Sequence, residues 1–541
     1  MRFNPIPNDR VQPKGRSEYD SSNNPTDYPE PGSTSHRIRF PFSAFGGYFA
    51  TAQLKTEIRN YLLLFFACLA FHLLGSAALP LIDRDEPRFA EASREMRERQ
   101  NYIVPYFNGQ YRFDKPPLTY WAQVASYRLF GENDFAARFP SAVAAALTAL
   151  VIFSWGRRIS DEKTALAAAI IFTLCLQTFV HAKAAVADMW LVLFMTKATY
   201  AGFEIISGSK RRPPAVALAK EGTPNWVWWL TFYVCLALAF LAKGPIGLIP
   251  IIPFVAMMIQ QRKFKLHSFF AGLLVTFGII SIWAIPALLQ THGEFLRIGI
   301  GRHVIGRSVG AMEGHGAKSF GLYLLLLPFY FVAVFVTFLP WSFKLPGLFS
   351  RLRKERDVTD LYLLWGIGSI FGIFTLVATK LPHYTLPAFP LLAVLLARHW
   401  FKRDSDFSVF NRIALVAALV LIAVALVLPL FVSRFFPSYV LFDQSRESLR
   451  PDMEIGSIDY AEPSIVWYFR LRVKGFVTPL TKKNAQEFVS RPGPRLIVMP
   501  ANETNLIFQE SFAVHWQRFS ATGFNIPKGK KVDLLLLLKP E

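Results

Sequence analysis

The stretch YLLLFFACLAFHLLGSAALPLIDRDEPRFAEASREM (residues 61–96) changes character in mid-course. Residues 61–82 are almost wholly apolar, and a helix needs about 20 such residues to cross the hydrocarbon of a bilayer. Seven ionisable side chains then follow by residue 94: Asp83, Arg84, Asp85, Glu86, Arg88, Glu91 and Arg94. The stretch therefore reads as a membrane helix whose exit opens straight into mixed charge.

The rest of the chain supports that reading. Of its 541 residues 52% are hydrophobic and only 18% charged, and 51 are Phe. A soluble chain of this length carries more charge, so the fold class is a mainly α polytopic membrane protein. In such a protein the net charge of +21 marks cytoplasmic loops and does not imply nucleic acid. Cys68, Cys175 and Cys235 all sit in apolar runs and offer neither a disulfide framework nor a CxxC metal site. Residues 1–55, rich in Pro, Ser, Asn and Asp, read as a disordered cytoplasmic tail. The first apolar run lies too deep for a cleaved signal peptide and reads as a retained anchor.

Eleven segments can serve as spans: 60–82, 136–156, 164–181, 187–206, 225–242, 245–261, 267–290, 321–342, 360–379, 384–398 and 411–432. The expected total is about 11 to 13 transmembrane helices. Residues 118–131 are apolar but too short to cross, and read as an interfacial helix. With the N-terminus in the cytoplasm, the short inner loops carry 18 Lys and Arg in 62 residues, against 7 in 45 outside. This bias supports the orientation and puts residues 433–541 outside. In that tail MEIGSIDY (453–460), RLIVMP (495–500) and VDLLLLLK (532–539) read as strands. EPSIVWYFRL (462–471) and TKKNAQEFVS (481–490) read as helices, giving a small α/β domain. It carries no nucleotide-binding motif, and no nucleotide cofactor is expected.

This topology sorts the chemistry onto one side. The first outer loop, 83–135, holds DRDEPRFAE and YRFDKPPLTYW. The later outer turns bring Lys183, Asp188, Lys243, Arg297, Arg302, His303, Arg307, Lys380, His383 and Tyr384. Asp85 stands next to hydrocarbon, where an acid is costly unless paired or used, and Glu86 is beside it. Both could instead be a solvated cap, since acids favour helix N-termini. Glu91, Arg94, Glu95, Arg97, Glu98 and Arg99 pair at i,i+3 and i,i+4 spacing and read as a surface helix. Asp188 is a second carboxylate on the same side. Two acids near one pocket can bind a cation, act as a base or hold a basic substrate. Lys115, set before two prolines that stiffen the backbone, and Arg88 suit a phosphate. Asp114 with His303 is a candidate metal pair. Lys380 and Tyr384 lie in a Pro-bounded turn against the bilayer.

The motifs DEPRFAEASREM, FDKPPLTYW, ADMW and KLPHYTLPAFP, in this order over about residues 60–400, resemble the membrane-embedded GT-C glycosyltransferases. The bacterial aminoarabinose transferases of lipid A and the protein O-mannosyltransferase-like enzymes are the similar branches. The resemblance implies a polyprenyl-phosphate-linked sugar donor, inversion at the anomeric carbon and a periplasmic active site in a bacterial inner-membrane protein. It implies a catalytic domain over residues 56–432, and catalytic acids at Asp85 and Asp188. Donor-phosphate ligands would be Arg88, Lys115, Lys380 and Tyr384. Glu86, Lys243, Arg302 and Arg307 would line the acceptor or donor pocket. A divalent ion at Asp114 and His303 is an option, although Asp114 stands where the aminoarabinose branch has Glu. The acceptor is a lipid, such as lipid A or an envelope glycolipid, or a protein. Membrane lipids are expected partners, nucleic acid is not, and the oligomeric state is open.

Two rivals come from other classes. A transporter or flippase would place charges inside its spans. Here most charges lie in loops, with Glu204 near the end of its span as an exception. A non-catalytic assembly or lipid-binding protein would be indifferent to loss of Asp85 and Asp188.

Overall fold

A computed structural model describes residues 42–208, 223–306, 319–402, 407–508 and 516–539. The chain divides into two units, residues 1–57 and 58–541. Among the described residues the first unit holds only the opening turns of helix α1 (Phe42–Leu73); of the expected disordered tail 1–55, residues 42–55 are helical instead, and residues 1–41 lie outside the described residues. The second unit begins with the rest of α1, then α2 (Asp85–Glu98), a short hairpin of β1 (Tyr106–Phe107) and β2 (Gln110–Tyr111), and α3 (Leu118–Phe130). There follow α4 (Asp134–Ile159), α5 (Glu162–Thr173), α6 (Leu176–Ala182), α7 (Asp188–Ser207), α8 (Asn225–Lys243), α9 (Ile251–Gln260) and α10 (Leu266–Gln290). Next come α11 (Phe295–Gly306, wound as a π-helix), α12 (Phe320–Leu325), α13 (Phe329–Thr337), α14 (Leu345–Lys354), α15 (Val358–Leu376), α16 (Phe389–Phe401) and α17 (Ser408–Val432).

Local chemistry sets these boundaries. The Asn133 side chain accepts from Ala136 N at the start of α4, and Asp161 accepts from Thr164 N at the start of α5. Asp357 and Asp360 form a reciprocal capping box on α15. Small residues let the helices approach closely. A Cβ on Gly156 of α4 would lie 2.8 Å from Ala165 of α5, so only glycine fits that crossing.

Among the described residues six helices are long and apolar enough to cross a membrane, or eight if each of two bent pairs is one span. The expected span 164–181 is broken: α5 and α6 meet at 66°. The expected span 321–342 divides into α12 and α13, and the chain after α13 turns by 119° into the segment Trp341–Lys354. Prolines at 328 and 340 remove backbone donors at these breaks. The expected break at AKGP is present, between α8 and the 3-10 turn Pro245–Leu248.

After α17 the chain adds α18 (Pro437–Ser445) and a five-stranded mixed sheet in the order β4-β3-β5-β7-β6. Here β3 is Glu454–Ile458, β4 Val477–Leu480, β5 Arg495–Pro500, β6 Gln517–Asn525 and β7 Lys530–Lys539. Strand β3 runs parallel to β4 and β5, whereas β7 runs antiparallel to β5 and β6. Helix α19 (Pro463–Phe469) follows β3, and α20 (Ala485–Ser490) follows β4. The three strands and two helices read from sequence are all present. β4 and β6 were not expected; β6 alternates polar and apolar over a short register and contains Gly523, which weakens its strand signal.

Helix α2 requires a correction. Its second half is not a solvated surface: Glu91, Arg94 and Glu95 are all buried. Arg470, just past α19, pairs with Glu91 and donates to Glu98 at 2.8 Å. The Arg94 guanidinium lies 4.0 Å above the Trp467 ring and donates to Trp467 O. The i,i+3 charge spacing was read correctly, but it serves a buried interface with α19.

Candidate active site

Glu86 sets the frame. It is 4% exposed, and each carboxylate oxygen accepts two hydrogen bonds. Oε1 accepts from Arg138 Nε at 2.9 Å and Ala185 N at 2.7 Å; Oε2 accepts from Arg138 Nη2 at 2.8 Å and Ile82 N at 2.7 Å. Arg138 also donates to the carbonyls of Ser76, Leu79 and Pro80. One ion pair thus ties the exit of α1, the start of α2, helix α4 and the turn before Asp188. Glu86 was expected to line a substrate pocket; its lone pairs are committed to this clamp.

The clamp leaves its neighbour outward. Asp85, first residue of α2, is exposed and lies in electrostatic reach of Arg112 and Tyr120. Arg88, one turn later, is half-buried and within reach of Asp83. Arg112 donates through Nε to Tyr120 Oη and through Nη2 to Asp114 Oδ2, both at 3.1 Å. Lys115 Nζ donates to Asp114 Oδ1 at 3.0 Å. Pro116 and Pro117 then hold the chain stiff up to α3.

Asp188 opens α7 and is buried. Its partner is Lys243, the last residue of α8, whose Nζ donates to Asp188 Oδ1 at 2.6 Å. Gly244 follows at φ 81°, a backbone conformation that a side chain disfavours. His383 Nε2 lies 4.0 Å from Asp188 Oδ1, beyond hydrogen-bond range. Burial pushes the His383 imidazole down to about 3; Asp188 opposes the shift, and Lys243, His181 and Lys115 reinforce it. His383 is therefore neutral at pH 7, and Lys243 alone carries the charge that balances Asp188.

Of these groups Asp114, Lys115 and Lys243 border a cavity of about 200 Å³. Asp114, Lys115, Lys243 and Tyr384 form its polar end, and Phe240, Ile280, Trp283, Leu288 and Phe295 its apolar wall. The Lys243 ammonium lies 5.7 Å from the Tyr384 ring. Such a cavity can seat a phosphate between ammonium groups while a hydrocarbon chain follows the wall.

The chain shares this fold with a crystallised enzyme. ArnT from Cupriavidus metallidurans bound to undecaprenyl phosphate superposes with a TM-score of 0.67 at 18% identity, over 88% of this chain and 98% of that one. The likeness is one of fold. Residues 114–285 match the family described as dolichyl-phosphate-mannose-protein mannosyltransferase. An undecaprenyl phosphate-alpha-4-amino-4-deoxy-L-arabinose arabinosyl transferase of Erwinia tasmaniensis is 32% identical over 63% of this chain and 60% of its own length. A protein of Aquifex aeolicus is 28% identical over 64% of this chain and 74% of its own length. The match spans about three fifths of the arabinosyl transferases' length.

Within this fold the expected residues divide. Lys115, Asp114, Lys243 and Tyr384 border one cavity, Asp188 is tied to it through Lys243, and Asp85 is linked through Arg112 and Asp114. Lys380 faces elsewhere: its three ammonium protons go to the carbonyls of Phe374, Thr375 and Val377 at the end of α15. It is a helix-capping lysine with no donor left for phosphate. Arg307 lies outside the described residues, as do the side chains of Arg302 and His303 in α11. Sequence reasoning did not single out Arg112, Arg138 or His181. Arg112 stood in the quoted YRFDKPP motif, and its placement two residues before Asp114 was the available signal.

Among the described residues one group, His181, Asp188 and His383, could hold a divalent ion, and the side chain of His303, the expected partner of Asp114, lies outside them. Asp114 is held between Arg112 and Lys115. His181, Asp188 and His383 bring ligand atoms within 4.8 Å of one another, but the Lys243 ammonium is already 2.6 Å from Asp188 Oδ1. In both places the carboxylate is already paired with a basic side chain.

Proposed function

We propose that this chain transfers a sugar, with inversion, from a polyprenyl phosphate at the outer face of a bacterial inner membrane. The observation that carries the reading is the cavity, with two lysines and a tyrosine at one end of an apolar wall. In the transfer, the bond from the anomeric carbon to the phosphate oxygen breaks, and a bond to the acceptor oxygen forms on the opposite face. The leaving polyprenyl phosphate gains charge, which Lys115 and Lys243 stabilise within a largely apolar surround. Arg88 and Tyr384 supply further phosphate contacts. A hydroxyl acceptor gives its proton to Asp85, the exposed carboxylate. A phosphate acceptor needs no base, and Asp85 then orients it or stabilises positive charge on the sugar ring. Asp188 holds Lys243 in place.

The similarity to aminoarabinose transferases supports a lipid acceptor such as lipid A or an envelope glycolipid. The family match over residues 114–285 supports a second reading, a protein O-mannosyltransferase-like enzyme. In either case the apolar segments favour about 11 to 13 spans, and the loop basic residues favour an inside N-terminus and an outer α/β domain from residue 433.

The test is turnover by purified protein given polyprenyl-phosphate sugars with lipid A or peptide acceptors. Consumption of a donor is expected, and Asp85→Asn is expected to abolish it while the fold survives. A wild-type protein inert towards every such donor overturns the transferase reading, and an active Asp85→Asn overturns the role of Asp85. Mass spectrometry of lipid A, glycans and secreted proteins with and without the gene separates the acceptors.

A further inference from the structure

A second polar cavity, of about 240 Å³, lies far from the candidate active site. It touches the end of α16 at His399 and Trp400, whereas Tyr384 precedes the start of that helix. Its other wall is Lys344, Gly347, Leu348 and Arg351 at the start of α14. Lys344, Gly347 and Arg351 recur at i, i+3 and i+7, so they share one helix face.

Four features of this cavity point to a ligand. Both charged groups are cationic, and no acid lines it. The Lys344 ammonium is 4.7 Å from the Trp400 ring, and Arg351 Nη1 donates to His399 O at 2.8 Å, so both heads are held at the cavity. Between them Gly347 leaves a gap. A Cβ there would meet nothing within 4 Å, so packing does not demand glycine, although glycine in a helix costs about 1 kcal/mol against alanine. Finally, α14 is amphipathic. It buries Leu345, Leu348 and Leu352, exposes Phe349 with Arg351, Arg353 and Lys354, and follows the 119° turn after α13. Exposed Phe343 precedes it. A basic amphipathic helix lying across the end of a span sits at the level of lipid headgroups.

We infer that Lys344, Gly347, Arg351 and Trp400 form a binding site for the phosphate of an anionic phospholipid, on the opposite side of the membrane from the sugar-transfer cavity. Lys344 and Arg351 bond the phosphate oxygens, the gap at Gly347 admits the headgroup, and Phe343 and Phe349 lie along the acyl chains. A zwitterionic headgroup fits less well, because its own ammonium would face Lys344 and Arg351.

The experiment uses the full chain in detergent, titrated with phosphatidylglycerol or phosphatidylethanolamine and read by native mass spectrometry. Glycerol phosphate serves as a soluble competitor. The wild type is expected to retain phosphatidylglycerol in preference to phosphatidylethanolamine, with glycerol phosphate unable to displace it at matching concentration. Lys344→Gln removes one charge-assisted contact and should weaken phosphatidylglycerol about 10-fold or more. Gly347→Leu, which fills the gap and raises helix propensity, should weaken it at least as much in a protein that still folds. Unchanged phosphatidylglycerol binding in both variants overturns the site. Equal retention of phosphatidylethanolamine overturns the charge argument, and displacement by glycerol phosphate overturns the lipid as occupant.

Discussion

Replacing Glu86 by Gln keeps the shape of the side chain and removes its charge. Each Glu86 oxygen accepts two donors, so there is no free face for an amide NH2. In one flip the NH2 meets Arg138 Nε and Ala185 N; in the other it meets Arg138 Nη2 and Ile82 N. Either way two donor–donor contacts replace two hydrogen bonds. The Arg138 guanidinium, 2% exposed, also loses its carboxylate partner. Removing one partner of a buried ion pair costs about 3–5 kcal/mol, and Glu86→Gln should fall in that range. A Glu86→Met/Arg138→Met double variant removes both charges and should recover part of the loss. The assay is denaturant unfolding in detergent followed by tryptophan fluorescence, alongside donor binding. If Glu86→Gln unfolds within about 1 kcal/mol of the parent yet no longer binds donor, Glu86 is a pocket group and the clamp is refuted.

Lys115→Met should lower kcat/KM for the lipid donor by about 10- to 100-fold, the value of one charge-assisted phosphate contact, with little change in thermal stability. Lys380→Met should do the reverse: a loss of about 2–3 kcal/mol from uncapped carbonyls of α15, measured by unfolding, with donor KM unchanged. Arg470→Leu leaves Glu91 and Glu95 buried with less compensation and should cost about 3–5 kcal/mol; limited proteolysis of the sheet region reads the loosened contact. Burial pushes the Asp83 carboxyl up to about 7, against hydrogen bonds from Ser464 that act the other way. The folded state then holds a proton that the unfolded state releases near pH 4. Its contribution is therefore full below about pH 4 and is lost as the pH rises through about 7. The pH dependence of unfolding should flatten over that window in Asp83→Asn.

Legibility followed the strength of each physical signal. Long apolar runs identified α4, α7, α8, α10, α15 and α17 because length and hydropathy are properties of the segment itself. The bends at 174–175 and after α13 lie inside apolar runs, and only the second has a proline, Pro340, to mark it. In the site, Asp188, Lys243, Lys115 and Tyr384 were legible because polar residues in turns next to spans are few. The chemistry of neighbours was not. Glu86 and Asp85 are adjacent and chemically alike, yet a helix turns successive side chains about 100° apart, so one is buried and the other exposed. Lys380 and Lys115 likewise share a Pro-rich context, and only the nearby end of α15 makes the first a cap.

The charge at residues 83–98 therefore serves two purposes, and the division does not fall at the midpoint of α2. Glu86, Glu91, Arg94 and Glu95 are buried and meet α4 and α19, whereas Asp85 is left facing water. If Asp85 acts in the proposed transfer it must be held in place, and α2 is held both by the apolar packing of Phe89, Ala92 and Met96 against Tyr120 and Val124 and by its charges. Ion pairs to Arg138 on one side and Arg470 on the other anchor it by directional bonds. The arrangement predicts that loosening either anchor lowers turnover more than donor affinity, because Lys115, Lys243 and Tyr384 stand on other segments and α2 offers the donor only Arg88. A parallel fall in both would mean that α2 carries most of the donor's binding rather than the single contact from Arg88.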